Sequence, residues 1–486
     1  MELDLPKKVA IVLAITLSAT LLLQAGCGPS STDLSQSADF QKFEQSHFGF
    51  FRAMGSYPFV DELNVHWERP HPGPFIWGEI EKDEGTYDWS AVDKYVTDAQ
   101  SNSILLVATI WPYDNWDQEQ CHEKLPNTRR LFSILGDYRG KPCDPEAYKR
   151  FVKALVERYD GDGVDDTPGL KYPIKYWEVI NEPEMMGTGT FFKGDPQTSD
   201  YLEVLQITHD AIKDTDPQAK VLNGGIASLS PIEKPFWETI LGGPGAGDID
   251  VLTIHSITLG TDLQLPSLNA LMNQLGLAQP VWVTEIQYAR SKRFRTQGQA
   301  ANPAGLTGGA DEGVPETVDT SPAANYGDAV TLSQGLSDLT QDQWSVVLIH
   351  SFVEAFGRGA TKLFYIGLDN STPTEETSLL VNCQVKAGAS RNDPFDPADC
   401  QRQTPFYAYK TLVDKIDYYD LVQKLGEGQY RFSIGDRTVY VLWGSLPLPG
   451  EIKGKIKVTD IYGQEREAQA ESLALTDAPV YVEISE

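Results

Sequence analysis

The sequence is poor in basic residues, in histidine and in cysteine. Only 40 Lys and Arg residues stand against 69 Asp and Glu among 486 residues, which gives a formal net charge of -29. The chain therefore lacks the basic footprint that binding to nucleic acid phosphates requires, and we expect no nucleic acid partner. Its seven histidines and five cysteines form no metal-ligand spacing, so neither a metal site nor a cofactor is predicted.

Long hydrophobic runs are also missing. The longest candidate, Val9–Leu23, has 15 residues, fewer than the roughly 20 that a membrane-spanning helix needs. Charged residues precede it and small residues follow it up to Cys27, which is typical of a secretory leader. The small residues before Cys27 resemble the lipobox of bacterial lipoproteins, in which the cysteine becomes the lipidated N-terminus, although Gln24 stands where that pattern has leucine.

We therefore expect residues 1–27 to be a lipoprotein-type signal peptide and residues 28–45 to be a polar linker. An ordinary cleaved signal and an uncleaved anchor are the alternatives. All three place the rest of the chain outside the cytoplasm, at the cell surface or in another extracytoplasmic space. Under the first interpretation the membrane is contacted only through the N-terminal lipid anchor.

Four cysteines remain when Cys27 is set aside. They fall as two neighbours in sequence, Cys121 with Cys143 and Cys383 with Cys400. Three pairings are possible, and these local pairs are favoured in an exported chain. Four free buried thiols are the alternative.

Strand and helix signals alternate between residues 46 and 424. Asp144 followed by Pro145 marks one helix start, after which apolar residues recur with the helical period. Eight helical segments separated by eight strands favour a (β/α)8 TIM barrel, an α/β fold, over an open sheet. The candidate strands are Phe48–Phe51, Asn64–Glu68, Ile104–Thr109, Ile174–Ile180, Lys220–Leu222, Val251–His255, Val281–Thr284 and Lys362–Ile366.

Two further regions have a different character. Residues 425–486 contain short alternating runs and turns, and we expect a small C-terminal antiparallel β domain there. Residues 297–328, rich in Gly, Ala, Pro and Thr, are interpreted as an enlarged loop on the active-site face, with a flexible linker as the alternative.

Two of the predicted strands end in glutamate. The fourth runs into Asn181-Glu182-Pro183, and the seventh ends at Glu285. Glutamate is depleted in strands, so both positions need a functional reason. The glutamates are 103 residues apart, close to three strand-helix units of about 31 residues each, which places them across one barrel mouth. Two carboxyl groups that face one another suit the hydrolysis of a glycosidic bond.

These motifs resemble clan A of the retaining glycoside hydrolases, a TIM-barrel group that includes cellulase family 5 and family 39. The resemblance covers roughly residues 46 to 422. It implies that Glu182 is the general acid/base, that Glu285 is the nucleophile and that Asn181 binds the sugar. Arg69 and His255 are similar to clan residues beside the nucleophile and are also assigned to substrate binding. Ile257 departs from the pattern, since the clan often has tyrosine there.

Aromatic residues near the strand ends are candidate sugar-stacking surfaces, although each alone is more often a packing residue. We assign Trp77, Trp111 and Tyr365 to substrate binding. An acidic segment, Asp160–Asp166, lacks the glutamate of an EF-hand and is interpreted as a solvated turn, with another kind of calcium site as the alternative.

The sequence thus predicts an exported retaining glycosidase that cleaves β-glycosidic bonds of plant-derived or microbial glycans. Its partner would be an oligo- or polysaccharide. Retention requires carboxyl groups about 5 to 5.5 Å apart, whereas a gap beyond about 6.5 Å indicates inversion. The alternative is a surface lipoprotein that binds glycans on the same barrel without catalysis.

Overall fold

The structure is a computed structural model that describes residues 33–125, 133–185, 197–257, 264–287, 339–369, 378–383 and 400–484. The predicted signal peptide with Cys27 and the 297–328 segment lie outside the described residues. Within the described part of the chain, no helix combines the length and apolar character needed to cross a bilayer.

Eight parallel strands form the predicted barrel. They pair in the order β5-β4-β3-β2-β1-β8-β7-β6. Parallel bridges between Leu222 and Val251 and between Ile226 and Ile254 join the two ends of this sheet. The strands are β1 Phe48–Phe51, β2 Trp67–Arg69, β3 Leu105–Ile110, β4 Tyr176–Val179, β5 Lys220–Asn223, β6 Leu252–Ile257, β7 Val281–Gln287 and β8 Ala360–Tyr365.

Helices follow every one of these strands and cover the barrel. Asp144 caps α6 by accepting the backbone N–H groups of Glu146 and Ala147, as its sequence context predicts. The helices are α1 Ala38–Glu44, α2 Tyr57–Glu62, α3 Trp77–Ile80, α4 Ser90–Ser101, α5 Asn115–Gln118, α6 Pro145–Glu157, α7 Gln197–Thr215, α8 Lys234–Leu241, α9 Leu265–Leu275, α10 Gln341–Gly357 and α11 Thr404–Ile416.

The expected linker 28–45 is corrected in its second half. Helix α1 lies there, and its Phe40 and Phe43 are buried in an apolar cluster at the N-terminal ends of the strands. The Trp67 indole N–H donates to the Phe43 carbonyl at 2.8 Å. Burial of two phenylalanines releases about 3 to 6 kcal/mol of hydrophobic free energy, so this segment closes the barrel floor.

The C-terminal domain is a six-stranded antiparallel sheet, as predicted. Its order is β11-β12-β13-β16-β14-β15. The first strand begins at Leu421, four residues before the expected boundary at 425, because the whole first hairpin belongs to this sheet. The strands are β11 Leu421–Gly426, β12 Gln429–Ile434, β13 Arg437–Leu442, β14 Lys455–Thr459, β15 Glu465–Gln469 and β16 Val480–Ile484, after a short pair of β9 Leu380–Val381 and β10 Gln401–Arg402.

One face of this sheet packs on the barrel. Tyr430 fits against Gly357 at the end of α10, where a Cβ would lie 2.3 Å from the phenol ring. His350 of the same helix stacks on Trp443 with ring centroids 4.3 Å apart. The domain therefore shares its core with the barrel, which agrees with the marginal stability expected of about 60 residues alone.

Candidate active site

Glu182 and Glu285 face one another at the carboxyl ends of β4 and β7. One side-chain oxygen of each lies within 4.8 Å of the other and of a ring nitrogen of His255. This oxygen–oxygen separation is shorter than the roughly 6.5 Å at which inverting geometry begins. The two acids thus occupy one site, as their spacing in the sequence predicts.

Glu182 is held in the turn that follows β4. Its φ is 46° and that of Ile180 is 65°, so two non-glycine residues adopt left-handed backbone. Each such residue costs of the order of 1 kcal/mol or more and persists only where the surrounding structure enforces it. The pairing of β4 ends at Val179, followed by one backbone bond from the Ile180 N–H to the Ile110 carbonyl, and Pro183, which has no N–H to donate, cannot extend it. The turn directs Glu182 into the mouth, where its side chain is 21% exposed.

Arg69 connects the acids of this site from the end of β2. Its Nη1 donates to Glu285 Oε1 at 2.8 Å, and its Nε donates to Glu178 Oε2 at 2.8 Å. Its Nη2 donates to the side-chain oxygen of Asn181. The guanidinium is fully buried. Burial opposes its charge, but Glu178 and Glu285 hold the pKa of Arg69 above its ordinary value.

Glu285 is itself almost wholly buried. Burial raises the pKa of Glu285 above its ordinary value, while His255 and Arg69 act against this effect and the charge of Glu182 adds to it. The carboxylate therefore depends on its partners to remain ionised. Arg69 is the direct one, since its ion pair with Glu285 spans 2.8 Å.

His255 lies between the two acids. A register shift after Ile254 brings His255 opposite Glu285 in the β6–β7 pair. Its Nδ1 is 2.7 Å from Glu182 Oε1, and its Nε2 is 3.6 Å from Glu285 Oε1. Burial lowers the pKa of His255 to about 4, so the ring is neutral near neutral pH.

Asn181 is oriented by the same arginine. Because its oxygen accepts from Arg69, its amide nitrogen points to the other side as the remaining donor. Asn181 is buried and directly precedes Glu182 in the chain. Arg69 and His255, by contrast, hold the carboxylates, and their burial does not fit the substrate-binding role assigned to them.

The three aromatic assignments are wrong. Trp77 and Trp111 have no exposed surface and Tyr365 is 1% exposed, so none offers a ring face to a sugar. Trp77 packs against Trp116, with its N–H donating to Glu81. These rings fill the layers between barrel and helices, because large apolar area is stabilised most by burial.

Trp111 and Tyr365 are held in the same way. The Trp111 N–H donates to the Pro72 carbonyl at 2.6 Å, and Tyr365 stacks on Tyr409 with ring centroids 5.8 Å apart. A position near a strand end does not predict exposure to substrate, because residues at strand ends can face either the barrel mouth or the layer between strands and helices.

Sequence reasoning missed two buried acids of the site. Glu178, inside β4, forms an ion pair with Arg69 at 2.7 Å and accepts from the Thr109 hydroxyl. Glu184 accepts the backbone N–H groups of Ala227 and Ser228 after β5. A signal for Glu178 was present, since the depletion of glutamate in strands applies to it as it does to Glu285.

Glu184 lies two residues after the acid/base candidate and has a raised pKa. Burial, followed by the charge of Glu182, raises the pKa of Glu184 to about 8. It is therefore mostly protonated at neutral pH. A neutral Glu184 adds no second negative charge beside Glu182.

Both predicted disulfides are present. Cys121 pairs with Cys143, with Cα atoms 5.9 Å apart, and Cys383 pairs with Cys400, with Cα atoms 4.2 Å apart. They lie in the segments after β3 and after β8, at the same end of the barrel as the two glutamates. Each disulfide closes a loop within the segment that follows its strand, with sequence separations of 22 and 17.

In the acidic segment 160–166, aspartate carboxylates accept hydrogen bonds from backbone N–H groups of the same segment. Asp160 accepts the N–H of Asp162, and Asp166 accepts those of Gly161 and Gly163. Oxygens of Asp160, Asp162 and Asp166 lie within 4.8 Å of one another. These hydrogen bonds hold the backbone in its turn conformation.

This chain is similar in structure to several solved proteins, but its sequence identity to them is low. No protein-family model matches the chain, and a search of curated proteins finds no match. A family 39 glycoside hydrolase from Bacteroides cellulosilyticus WH2 matches with a TM-score of 0.58 at 13% identity, over 91% of this chain and 82% of that one. A family 39 β-xylosidase from Caulobacter crescentus gives 0.54 at 15% identity, over 93% and 94%.

The chain shares its fold with clan A glycoside hydrolases. A family 51 α-L-arabinofuranosidase from Bifidobacterium longum also matches, with a TM-score of 0.50 at 12% identity over 88% of this chain and 89% of that one. These neighbours differ in the sugar that their names record, so the fold leaves the substrate open.

Proposed function

We propose that this chain is an exported retaining glycosidase that cleaves β-glycosidic bonds in plant-derived or microbial glycans. The observation that carries the proposal is the pair Glu182 and Glu285, with carboxylate oxygens within 4.8 Å on two strand ends of a barrel. The fold shared with several glycoside hydrolases supports it.

In the first step Glu285 is the nucleophile. Its carboxylate oxygen attacks the anomeric carbon while the bond from that carbon to the leaving oxygen breaks. Glu182 gives its proton to the leaving oxygen. Arg69 keeps Glu285 ionised until attack, because an adjacent cation favours the charged form of a carboxylate.

In the second step Glu182 acts as a base. It takes a proton from water, the water oxygen bonds to the anomeric carbon, and the bond between that carbon and Glu285 breaks. Both carboxyl groups then return to their starting protonation. Asn181 supplies a donor for a sugar hydroxyl beside the reacting carbon, a contact that strengthens in the transition state.

Export and attachment belong to the same proposal. The leader that resembles a lipobox supports a lipid anchor at Cys27, and the two disulfides agree with an oxidising compartment. Labelling the expressed protein with a radioactive fatty acid tests this. Label in the wild type but not in Cys27→Ser supports the anchor, and equal label in both contradicts it.

Catalysis is tested with the purified protein on aryl β-glycosides of xylose, glucose, galactose and mannose, and on aryl α-L-arabinofuranosides. We expect the enzyme to release the phenol. Proton NMR should show that the sugar product keeps the anomeric configuration of the substrate. Glu285→Gln and Glu182→Ala should each lose at least about 100-fold in kcat, since each removes a reacting group. Glu467→Gln, on the exposed strand β15, is the matched control and should keep full activity.

Two results would contradict the proposal. Glycan binding without release of sugar from any substrate would favour the non-catalytic lipoprotein. A product of inverted configuration would indicate a single-displacement mechanism instead.

Azide should restore turnover of Glu182→Ala on a substrate with a good leaving group, because a small anion can replace the activated water.

A further inference from the structure

The turn that carries Glu182 packs directly on the end of β5. The Met185 N–H donates to the Glu182 carbonyl at 3.1 Å and closes this turn. At Gly224, which follows β5, an added Cβ would lie 2.7 Å from the Val179 carbonyl oxygen and 3.0 Å from Pro183 Cδ. A larger residue at this glycine would have to displace the turn.

Glu184 connects the same turn to the loop that follows β5. Its Oε1 accepts the backbone N–H groups of Ala227 at 2.6 Å and of Ser228 at 3.1 Å. Glu184 is 5% exposed, so these two bonds are shielded from water, which strengthens them. Its Oε2 makes no hydrogen bond within the part of the chain that the structure describes, so Oε1 is the oxygen that holds the loop.

The loop after β5 is fixed from its other side as well. Gln264, which precedes α9, donates from Nε2 to the Ala227 carbonyl at 2.9 Å and accepts the Leu229 N–H at 3.1 Å. The Tyr201 hydroxyl oxygen, on α7, accepts the Gly224 N–H at 2.9 Å. A residue that is bonded to this loop is therefore held by a firm support.

We propose that Glu184 is a positioning residue that ties the turn of Glu182 to the loop after β5, so that the acid/base carboxyl keeps its place opposite Glu285. This inference rests on the proposed function. The side chain of Glu184 acts on catalysis through the backbone of the turn and exchanges no proton with the substrate.

The turn needs such a tie because its backbone is strained. Ile180 and Glu182 have positive φ, at 65° and 46°, and such residues persist only where the surrounding structure enforces them. Two hydrogen bonds to one buried acceptor are comparable in free energy with the strain at one of these residues. Loss of the acceptor should therefore let the turn relax and move the carboxyl of Glu182.

The uncharged form of Glu184 is sufficient for this role. Burial, followed by the charge of Glu182, raises the pKa of Glu184 to about 8, so the group is protonated at about pH 6. A protonated carboxyl keeps a carbonyl oxygen as acceptor, and so does the amide of glutamine. Glu184→Gln is therefore the conservative variant, whereas Glu184→Leu keeps most of the side-chain volume but offers no acceptor.

A displaced acid/base residue leaves a specific kinetic signature. A phenyl glycoside has a poor leaving group that needs the proton of Glu182, whereas 2,4-dinitrophenolate leaves without one. The attack of Glu285 is common to both substrates. General damage to the fold should lower kcat/KM equally on the two substrates, but misplacement of Glu182 should lower it mainly on the phenyl glycoside.

The two substrates, made with the sugar that the wild type cleaves, are compared at about pH 6, where Glu184 is protonated. Glu184→Leu should lose about 10- to 100-fold in kcat/KM on the phenyl glycoside, the cost of a small misplacement, and less than about 3-fold on the dinitrophenyl glycoside. Its kcat on the dinitrophenyl glycoside should fall, because water needs Glu182 as base to release the glycosyl-enzyme, and azide should restore it.

The controls separate the acceptor from the charge and from the substitution itself. Glu184→Gln should stay within about 3-fold of the wild type on both substrates. Glu467→Leu, on the exposed strand β15, makes the same substitution far from any buried contact and should have wild-type rates.

Two further variants decide the question if Glu184→Leu does not fold. Glu184→Asp keeps a carboxyl on a shorter side chain, so the turn must move toward the loop or lose the two bonds. Gly224→Ala displaces the turn from the other side, and Gly450→Ala is its matched control, because no atom lies within 4 Å of a Cβ there. Both test variants should show the same dependence on the leaving group. Thermal unfolding confirms that each compared protein is folded at the assay temperature.

The outcomes distinguish the inference from the proposed function. Losses mainly on the phenyl glycoside in folded variants, with Glu184→Gln close to the wild type, support the inference. Equal losses on both substrates, wild-type rates in the folded test variants, or a Gln variant as impaired as the Leu variant overturn it while the glycosidase proposal stands. A wild type without activity on any glycoside overturns the proposed function itself.

Discussion

Arg69 and Glu285 form an ion pair of 2.8 Å in which the arginine has no exposed surface and the glutamate has 8%. The same guanidinium also pairs with Glu178 and bonds to Asn181. One cation thereby links the ends of β2, β4 and β7. Such a fork needs the planar group of arginine, and a lysine ammonium cannot reproduce it.

Arg69→Lys should therefore impair the site. We expect kcat/KM to fall at least about 10-fold, because the compact ammonium loses the forked geometry. Arg69→Met should lower the free energy of unfolding by about 3 to 5 kcal/mol, since it leaves buried carboxylates without their cation. Steady-state kinetics and urea unfolding measure the two effects, and Arg466→Lys on exposed β15 is the control. Wild-type values for both Arg69 variants would contradict this role.

The acid limb of activity should lie above the ordinary pH range of a glutamate. Burial raises the pKa of Glu285, and only its ionised form can attack, so activity is lost as pH falls through this raised value. Arg69→Met should move the limb to still higher pH, because it removes the charge that opposes the burial effect. A kcat/KM profile checks the shift, and an unmoved or lowered acid limb would argue against Glu285 as nucleophile.

Glu184 should make the protein less stable at high pH. Its pKa is raised from 4.5 to about 8, so the folded state binds the proton more tightly than the unfolded state between these values. Stability from this group is complete below about pH 4.5 and is lost as pH rises through about 8. Glu184→Gln keeps an acceptor for the Ala227 and Ser228 N–H groups but cannot ionise.

The Tm difference between Glu184→Gln and the wild type should thus be small at pH 5 and grow in favour of the variant by pH 9. Differential scanning calorimetry at several pH values measures it. Glu467→Gln serves again as the exposed control. A variant that loses stability relative to the wild type as pH rises would show that Glu184 is ionised in the folded protein.

Trp77 should behave as a core residue. Trp77→Ala is expected to lower the free energy of unfolding by about 3 to 5 kcal/mol, the usual cost of truncating a buried tryptophan. Trp77→Phe keeps most of the apolar volume and should leave KM within about 2-fold, a change of less than 0.5 kcal/mol in substrate binding. Denaturant unfolding and steady-state kinetics provide the measurements. A large rise in KM for a stable Trp77→Phe would restore the sugar-stacking role.

The disulfide between Cys121 and Cys143 should stabilise the fold through loop closure. Its sequence separation of 22 corresponds to about 3 kcal/mol in the chain-entropy description. The double variant Cys121→Ser with Cys143→Ser should lose about this amount in guanidinium unfolding. Reducing agent should lower the free energy of unfolding of the wild type by a comparable amount. The variant lacks this bond, so its reduction cannot destabilise the variant. Equal stability of both proteins would indicate that the bond does not form.

Barrel, C-terminal sheet, disulfides and the facing glutamates all follow from local signals. Strand periodicity and the capped helix at Asp144 are carried by residues near one another in sequence, and the interval between Glu182 and Glu285 follows from repeating one local strand-helix unit three times. The assignments that failed depend on distant contacts. Trp77 and Tyr365 lie near strand ends, but burial is decided by the helices that cover them.

The sequence by itself determined the repeating strand-helix unit and the two glutamates that end strands, because hydrophobic period, turn residues and a glutamate at a strand end are local properties. Only the tertiary structure decided that His255 bonds to Glu182, that Arg69 joins three strands and that α1 closes the barrel floor. Closure of the ring pairs β1 with β8, where Phe48 lies opposite Leu363, and it brings Arg69 to Glu285, which is 216 positions away in the sequence. The physical reason is that register, burial and the space left by a glycine are set by packing between elements, which no single segment of the chain contains.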